Sequence, residues 1–280
     1  MPLPIRRVVR VACLLVPLTA CSGNTGPSGT AQGISLTPQW SRSGELLSPT
    51  ALCDDETRGM IYVAHGEGSI ARVDSAGRVV EPGWITGLTA PGGLDCRGDR
   101  LWCSDGDAFV EIDIGADSIL ARHAVPGVGV LTGLAMASSY QILAADSTRH
   151  TIWSLEGGVA DAWTFTDCVR PCGLCLDGVR LLIGSADCVL AVHLDNKAVE
   201  RIAEGVRGAV GMTVCTGDVR IIADAAGALY VLAGSDPELV REAAENGGVT
   251  GLCCLADRSL LVATEPAADR LRAWRITCPP

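Results

Sequence analysis

The chain has one lysine, Lys197, and four histidines among 280 residues, and its formal net charge is −10. That balance argues against a nucleic-acid partner, because the phosphate backbone demands a basic face. Basic character comes almost wholly from arginine, a compositional bias to which no function attaches. Long apolar runs are also missing: from residue 33 onward no segment is long enough to cross a bilayer as a helix. The chain contains no Gly-rich phosphate loop, no Gly-x-Ser-x-Gly nucleophile turn and no His-Glu-x-x-His helix. The chemistries those motifs announce therefore have no signature here.

What is present begins at the N-terminus. MPLPIRRVVRVACLLVPLTACSG sets Arg6, Arg7 and Arg10 before an apolar stretch, Val11 to Ala20, that is too short to span a membrane as a mature helix. Charge, then apolar run, then small residues is the order of an export signal, here residues 1–20, whereas a buried N-terminal helix would have no use for it. Leu18-Thr19-Ala20-Cys21 resembles the bacterial lipobox. The resemblance implies that Cys21 is lipidated on its thiol and becomes the new N-terminus, so that the chain is extracytoplasmic and anchored to the cell membrane. Loss of the signal would remove Cys13 and three arginines, leaving the exported chain more acidic. Residues 21–32 are small and polar and read as a flexible tether. Residues 33–280 are enough for one large all-β domain.

PGGLDCRGDRLWCSDGDAFVEID, residues 91–113, has weaker copies along the chain. Aligned on one residue pair, the copies fall at Ala51-Leu52, Gly93-Leu94, Gly133-Leu134, Gly173-Leu174, Gly211-Met212 and Gly251-Leu252, at spacings of 42, 40, 40, 38 and 40 residues. A period near forty built of short strands is the sign of a β-propeller with one four-stranded blade per copy, hence six blades. In each copy a second, mostly apolar run ends at His65, Asp105, Asp146, Ser185, Asp224 or Glu265, as expected of a strand buried on both faces. A third run alternates and a fourth is poorer, with Gly, Asp and Asn at the turns between them. The sixth copy stops after three strands. Ile34 to Trp40, ISLTPQW, then supplies its outer strand and closes the ring, with Trp40 expected to pack against blade six.

The Pro-x-Gly-Leu lead-in, the Asp-Gly turn, the Leu-Trp or Ile-Tyr-Val-Ala run ending in Asp and the following Ile-x-x-Val-Asp together resemble NHL repeats and the related SMP-30, gluconolactonase-like propellers. The likeness covers nearly all of residues 33–280 and is clearest in blades one to three. It implies a divalent metal on the axis, held by a Glu, an Asn and an Asp near the starts of the innermost strands, since such an ion needs convergent oxygen ligands. Here the residues before the aligned pairs are Thr50, Gly92, Thr132, Cys172, Val210 and Thr250, and Asp95 is the one nearby acid. The metal centre therefore does not carry over, and no cofactor is expected. Related propeller lyases use axial histidines. Only His65 and His150 fall near strand ends that could face a channel mouth, with His123 and His193 assigned to outer strands, so a three-histidine zinc centre is not available.

The residues that close the second strands admit two readings. His65, Asp105, Asp146, Asp224 and Glu265 could form a polar rim for a ligand, with Thr50, Thr132, Cys172 and Thr250 nearer the axis. Alternatively each acid accepts hydrogen bonds from its own turn, and recurrence at every blade is what a fold requirement produces. Asp105-Gly106-Asp107 lacks the further ligands of a calcium loop and reads as a solvated turn.

Cysteine is abundant. Setting aside Cys13 and Cys21 leaves an odd number, so at least one thiol stays free or pairs between molecules, and export would permit disulfides. Cys53 with Cys253, on neighbouring blades one and six, and Cys96 with Cys103, flanking one hairpin, are the candidate pairs, the second on a diagonal that could hold it too far apart. Cys168, Cys172, Cys175 and Cys188 contain a Cys-x-x-Cys, but an offset of three in one strand points Cys172 and Cys175 to opposite faces. Most of the others read as small packing residues. The reading that results is a lipid-anchored all-β disc that binds a protein, glycan or small-molecule ligand. A gluconolactonase-like hydrolase or lyase with a degenerate centre is its main rival, and a redox or metal-handling lipoprotein built on the cysteines is a third.

Overall fold

The computed structural model describes residues 34–66, 68–215, 219–233, 236–241, 248–255 and 259–277. The export signal, Cys21, the tether and Cys278 lie outside the described residues. Strand β1 (Ser35–Ser43) leads into six antiparallel sheets of four strands each. Blade one is β2 (Pro49–Asp55), β3 (Met60–His65), β4 (Ser69–Asp74) and β5 (Val79–Ile85), paired in that order. Blade two follows as β6 (Pro91–Arg97), β7 (Arg100–Asp105), β8 (Ala108–Asp113) and β9 (Ser118–Ala124). Blade three is β10 (Leu131–Met136), β11 (Gln141–Asp146), β12 (Thr151–Glu156) and β13 (Val159–Thr164). Blade four is β14 (Leu174–Asp177), β15 (Arg180–Gly184), β16 (Cys188–His193) and β17 (Val199–Glu204). Blade five is β18 (Gly211–Cys215), β19 (Val219–Ala223), β20 (Leu229–Ala233) and β21 (Asp236–Arg241). Blade six is β22 (Gly251–Leu255), β23 (Leu260–Glu265) and β24 (Arg270–Thr277), completed by β1. The all-β, six-bladed propeller expected from the forty-residue period is the fold observed.

The second strands are apolar on both faces because each blade is sandwiched. Burial divides into six clusters, one at every junction between neighbours. Between blades one and two, Tyr62, Ala64 and Ile70 meet Leu101, Cys103 and Val110; between two and three, Trp102 and Phe109 meet Leu134, Met136 and Ile142. Tyr62 and Phe109 are fully enclosed. Each such side chain contributes about 1.5–3 kcal/mol of transfer free energy, so the ring is held by its junctions as much as by its sheets.

β1 pairs antiparallel with β24, from Ser35 opposite Thr277 to Ser43 opposite Arg270. The first strand of the chain is thus the outer strand of the last blade, and no sheet edge separates the two ends. Asp269 reinforces the seam by accepting the Ser48 N–H at 2.6 Å. Trp40 differs from expectation in one respect. It belongs to blade six, yet its ring leans on blade one, where Nε1 donates to the Ser75 carbonyl at 3.2 Å. The ring lies over Gly77, where the backbone has φ of 79° and an added Cβ would sit 2.7 Å from it. Only glycine meets both demands.

Candidate functional site

The six inner strands, β2, β6, β10, β14, β18 and β22, surround an axial cavity of about 500 Å³. The repeated Gly-Leu pair explains its shape. At the glycine position adjacent strands touch: a Cβ on Gly93 would lie 2.5 Å from the Thr132 carbonyl oxygen. One residue later Leu52, Leu94, Leu134, Leu174, Met212 and Leu252 form an aliphatic belt, each largely buried between blades with an edge on the cavity. The pair is therefore both the point of closest approach and the wall.

At the mouth, where the inner strands start, polar groups are spent on joining blades. The Thr50 hydroxyl donates to the Pro91 carbonyl at 3.0 Å, and Ser104 Oγ takes the Gly93 N–H and donates to the Thr132 carbonyl at 2.5 Å. Thr132 Oγ1 reaches the carbonyls of Ala145 and, at 3.4 Å, of Cys172, which also accepts the Gly133 N–H. Thr250 Oγ1 donates to the Thr50 carbonyl at 2.7 Å across the closure seam. Of the candidate residues, Thr50, Thr132, Cys172 and Thr250 do line the cavity.

The residues that close the second strands are brought to this same side but under loops, away from the cavity lining. Asp105 accepts the amides of Thr89 and Ala90 and pairs with Arg122 at 2.6 Å. Asp146 accepts the amides of Gly129, Thr148 and Arg149 and the Thr148 hydroxyl. Burial pushes its carboxyl up, yet those four donors together hold it below the ordinary range. Asp224 accepts the amides of Ala226 and Ala228 and the Tyr230 hydroxyl. Glu265 pairs with Arg270 and Arg272. The His65 ring meets the Pro82 carbonyl through Nε2 at 2.9 Å, and His150 Nδ1 accepts the Arg170 N–H. His123 lies on the outer strand β9, and His193 ends the third strand β16.

The opposite end of the cavity carries the residues that sequence reasoning passed over. Asp54 and Asp95, from adjacent inner strands, are the carboxylates of its lining, and no basic side chain stands among the described lining residues. Asp95 accepts the N–H groups of Met136 at 2.7 Å and Cys96 at 2.8 Å. Removal from bulk water dominates these bonds, and its carboxyl is pushed up to about 6. Asp95 was visible in the chain as an acid near an aligned pair, but only the ring of strands shows that Asp54 lines the same cavity from the adjacent strand.

The cysteines do not form the sequence-suggested groups. All ten described cysteines are free thiols. Cys53 faces the blade one–two junction while Cys253 faces the six–one junction, so the side chains of that candidate pair lie on different faces. Cys103 stands opposite Leu94, leaving Cys96 on the diagonal, the placement that separates a cross-strand pair. β14 starts at Leu174, so Cys172 sits before the strand, with Cys168 and Cys188 nearby at the blade three–four junction, whereas Cys175 packs toward blade five. Among the described residues no group of three or more Cys, His, Asp or Glu converges to hold a metal, so the axial ion implied by the family resemblance finds no matching donor set.

No family model and no curated protein matches the chain. Its fold has relatives nonetheless. A protein described as a "putative gluconolactonase" superposes with TM-score 0.69 at 13% identity, over 88% of this chain and 93% of its own. The WD40 propeller domain of Doa1 gives 0.65 at 10% identity, over 80% of this chain and 77% of that one. The likeness is one of fold. At these identities it carries no site residues.

Proposed function

We propose that the chain is an extracytoplasmic propeller, anchored to the cell membrane through a lipidated Cys21, whose axial cavity binds a small molecule with an apolar body and one cationic nitrogen. The cavity carries the reading. Its volume falls within the range of small-molecule sites, and an apolar wall with a few convergent polar groups is their usual make-up. An aliphatic belt suits an apolar body, and a lining that carries two carboxylates and no basic side chain among its described residues favours a cation over an anion, although Arg97 acts on Asp95 from outside that lining. A bound ammonium would hold Asp95 ionised, and the desolvation already incurred by that carboxylate in the folded protein would not be incurred again on binding. The mouth candidates, Thr50, Thr132, Cys172 and Thr250, would frame access, and His65, Asp105, Asp146, Asp224 and Glu265 would hold the loops around it.

The test is calorimetric titration of the full chain, held in lipid nanodiscs, with cyclohexylammonium and separately with cyclohexanol. Saturable binding of the amine, weakened tenfold or more by Asp95→Asn, is expected. Equal binding of the alcohol, indifference to that substitution, or no binding of either overturns the reading.

The structural likeness to a gluconolactonase-described protein favours a second reading, a metal-dependent hydrolase or lyase with a rearranged centre. Melting of chelator-treated chain in the presence of calcium, zinc, magnesium or manganese separates the two. A ligand of the native state raises stability by mass action. A saturable rise with one ion would promote the enzyme, and no response to any would retire it.

A further inference from the structure

Two thiol pairs at the acidic end of the channel bridge neighbouring blades. Cys53 of β2 packs with Cys96 of β6 in the blade one–two cluster, and Cys96 Sγ donates at 3.2 Å to the carbonyl of Asp54, the residue after Cys53. Cys215 of β18 lies in the blade five–six cluster, with Cys254 of β22 packed against it. The partners in each pair lie roughly one repeat apart, on inner strands of consecutive blades. The two junctions flank blades six and one, where the chain ends meet.

A contact pair of thiols can lose two hydrogens to become a disulfide, or hold a thiophilic ion between two thiolates. The surroundings decide between them. In the first pair burial and nearby Asp95 push the Cys53 thiol well up, and in the second Cys254 and burial push the Cys215 thiol up, so two thiolates in either pair would add negative charge where it is already disfavoured. No third ligand converges on either pair among the described residues. A disulfide is neutral, compact and compatible with the apolar junction. Cys53 and Cys254 line the cavity, which gives a reagent its route.

We propose that Cys53 with Cys96, and Cys215 with Cys254, are oxidation sites that close into inter-blade disulfides fastening blade one to blade two and blade five to blade six. The oxidant is an external disulfide, R–S–S–R. One protein thiol loses its proton and attacks a sulfur of R–S–S–R, expelling R–S⁻, which takes up that proton. The second thiol then attacks the mixed disulfide in the same way. One protein S–S bond forms, one R–S–S–R bond breaks, and two electrons and two protons leave with two R–SH. Closure of both pairs would stiffen the cavity wall on both sides of the seam.

The experiment exposes the full chain to oxidised glutathione, denatures it, alkylates it with N-ethylmaleimide without reductant and digests it with trypsin. Arg58 and Arg78 lie between Cys53 and Cys96, and Arg220 and Arg241 between Cys215 and Cys254, so each pair falls on separate peptides. Two cross-linked peptide pairs are expected, each lighter by two hydrogens and each released by reductant. Cys253 shares a peptide with Cys254, so Cys253→Ala is run alongside and must keep the second link. Alkylation of all four cysteines overturns the proposal. So does linkage in other combinations, such as Cys53 with Cys253, or a thiophilic ion in the native mass with all four cysteines alkylated after denaturation. As a second readout, reductant should lower the melting temperature of the oxidised wild type by roughly 10 °C, and that of Cys53→Ala/Cys254→Ala far less. An equal loss in both would also sink the assignment.

Discussion

The two ends of the axial channel are built from the same six strands and differ in what their polar atoms do. At the mouth, hydroxyls and carboxylates are consumed: Thr50, Ser104, Thr132 and Thr250 join blade to blade through backbone carbonyls, and Asp105, Asp146 and Asp224 gather the amides of their loops. At the far end the polar set is thiols with two carboxylates, and Asp95 is left with two amide donors for a charge that the site disfavours. Polar groups at the mouth stabilise the ring; at the far end Asp95 sits in a site that disfavours its charge. Asp146 and Asp95 make the contrast sharp, because one is buried and the other half-buried in the cavity wall, and their acidities move in opposite directions.

The largest expected effect comes from Asp146→Ala, which strips the acceptor from three amides and a hydroxyl. Its urea midpoint at pH 7 should fall by an amount equivalent to about 3 kcal/mol, because buried donors left unmatched bear their desolvation cost. A loss below about 1 kcal/mol would mean that the loop amides find water instead. Asp95 should act in the other sense. Its raised pKa means that the folded state binds more protons than the unfolded one between about pH 4 and about 6. Stability should therefore fall as pH rises through that window, by about 2–3 kcal/mol in the wild-type-minus-Asp95→Asn difference curve. The Asp146 contribution runs the opposite way, fully present above about pH 4 and lost as pH falls. A flat difference curve for Asp95 would erase the distinction between the two ends.

Smaller effects test the mouth itself. Thr250→Val removes the hydroxyl that reaches across the seam to Thr50 and should cost about 1 kcal/mol in chemical denaturation, while leaving amine binding unchanged. A change in affinity instead would move Thr250 from framework to ligand contact. Cys172→Ser should stay within about 0.5 kcal/mol of wild type, because the backbone carbonyl of Cys172 makes the inter-blade bonds and a serine hydroxyl can still donate to the Arg170 carbonyl that the thiol meets. Measurable destabilisation would show that the thiol packs more tightly than its partial exposure implies.

The propeller was legible because its signals are local and repeated. A period near forty residues, apolar second runs and turn residues between runs each follow from the needs of one blade, and six copies multiply a weak signal. Closure by residues 34–40 was legible from a deficit, the absent fourth strand of the last copy. The candidate site was legible only in part. Thr50, Thr132, Cys172 and Thr250 could be placed near the axis because alignment fixes depth along a strand, but whether a hydroxyl faces a ligand or a neighbouring carbonyl depends on the next blade. The cysteine pairs met the same limit: Cys53 and Cys253 share a depth, but their side chains turn to different junctions.

What the sequence by itself determined is the number of blades, the order of strands within each and the way the ring shuts, since all three follow from periodicity and hydrophobic pattern along the chain. Only the tertiary structure decided that Asp54 and Asp95 line one cavity, that Cys53 shares a junction with Cys96 and Cys215 with Cys254, and that the mouth spends its polar groups on its own framework. Those contacts join residues roughly a repeat or more apart in the chain, across blade junctions. Their geometry is set by the twist and convergence of six sheets on one axis, which no spacing within a single repeat records.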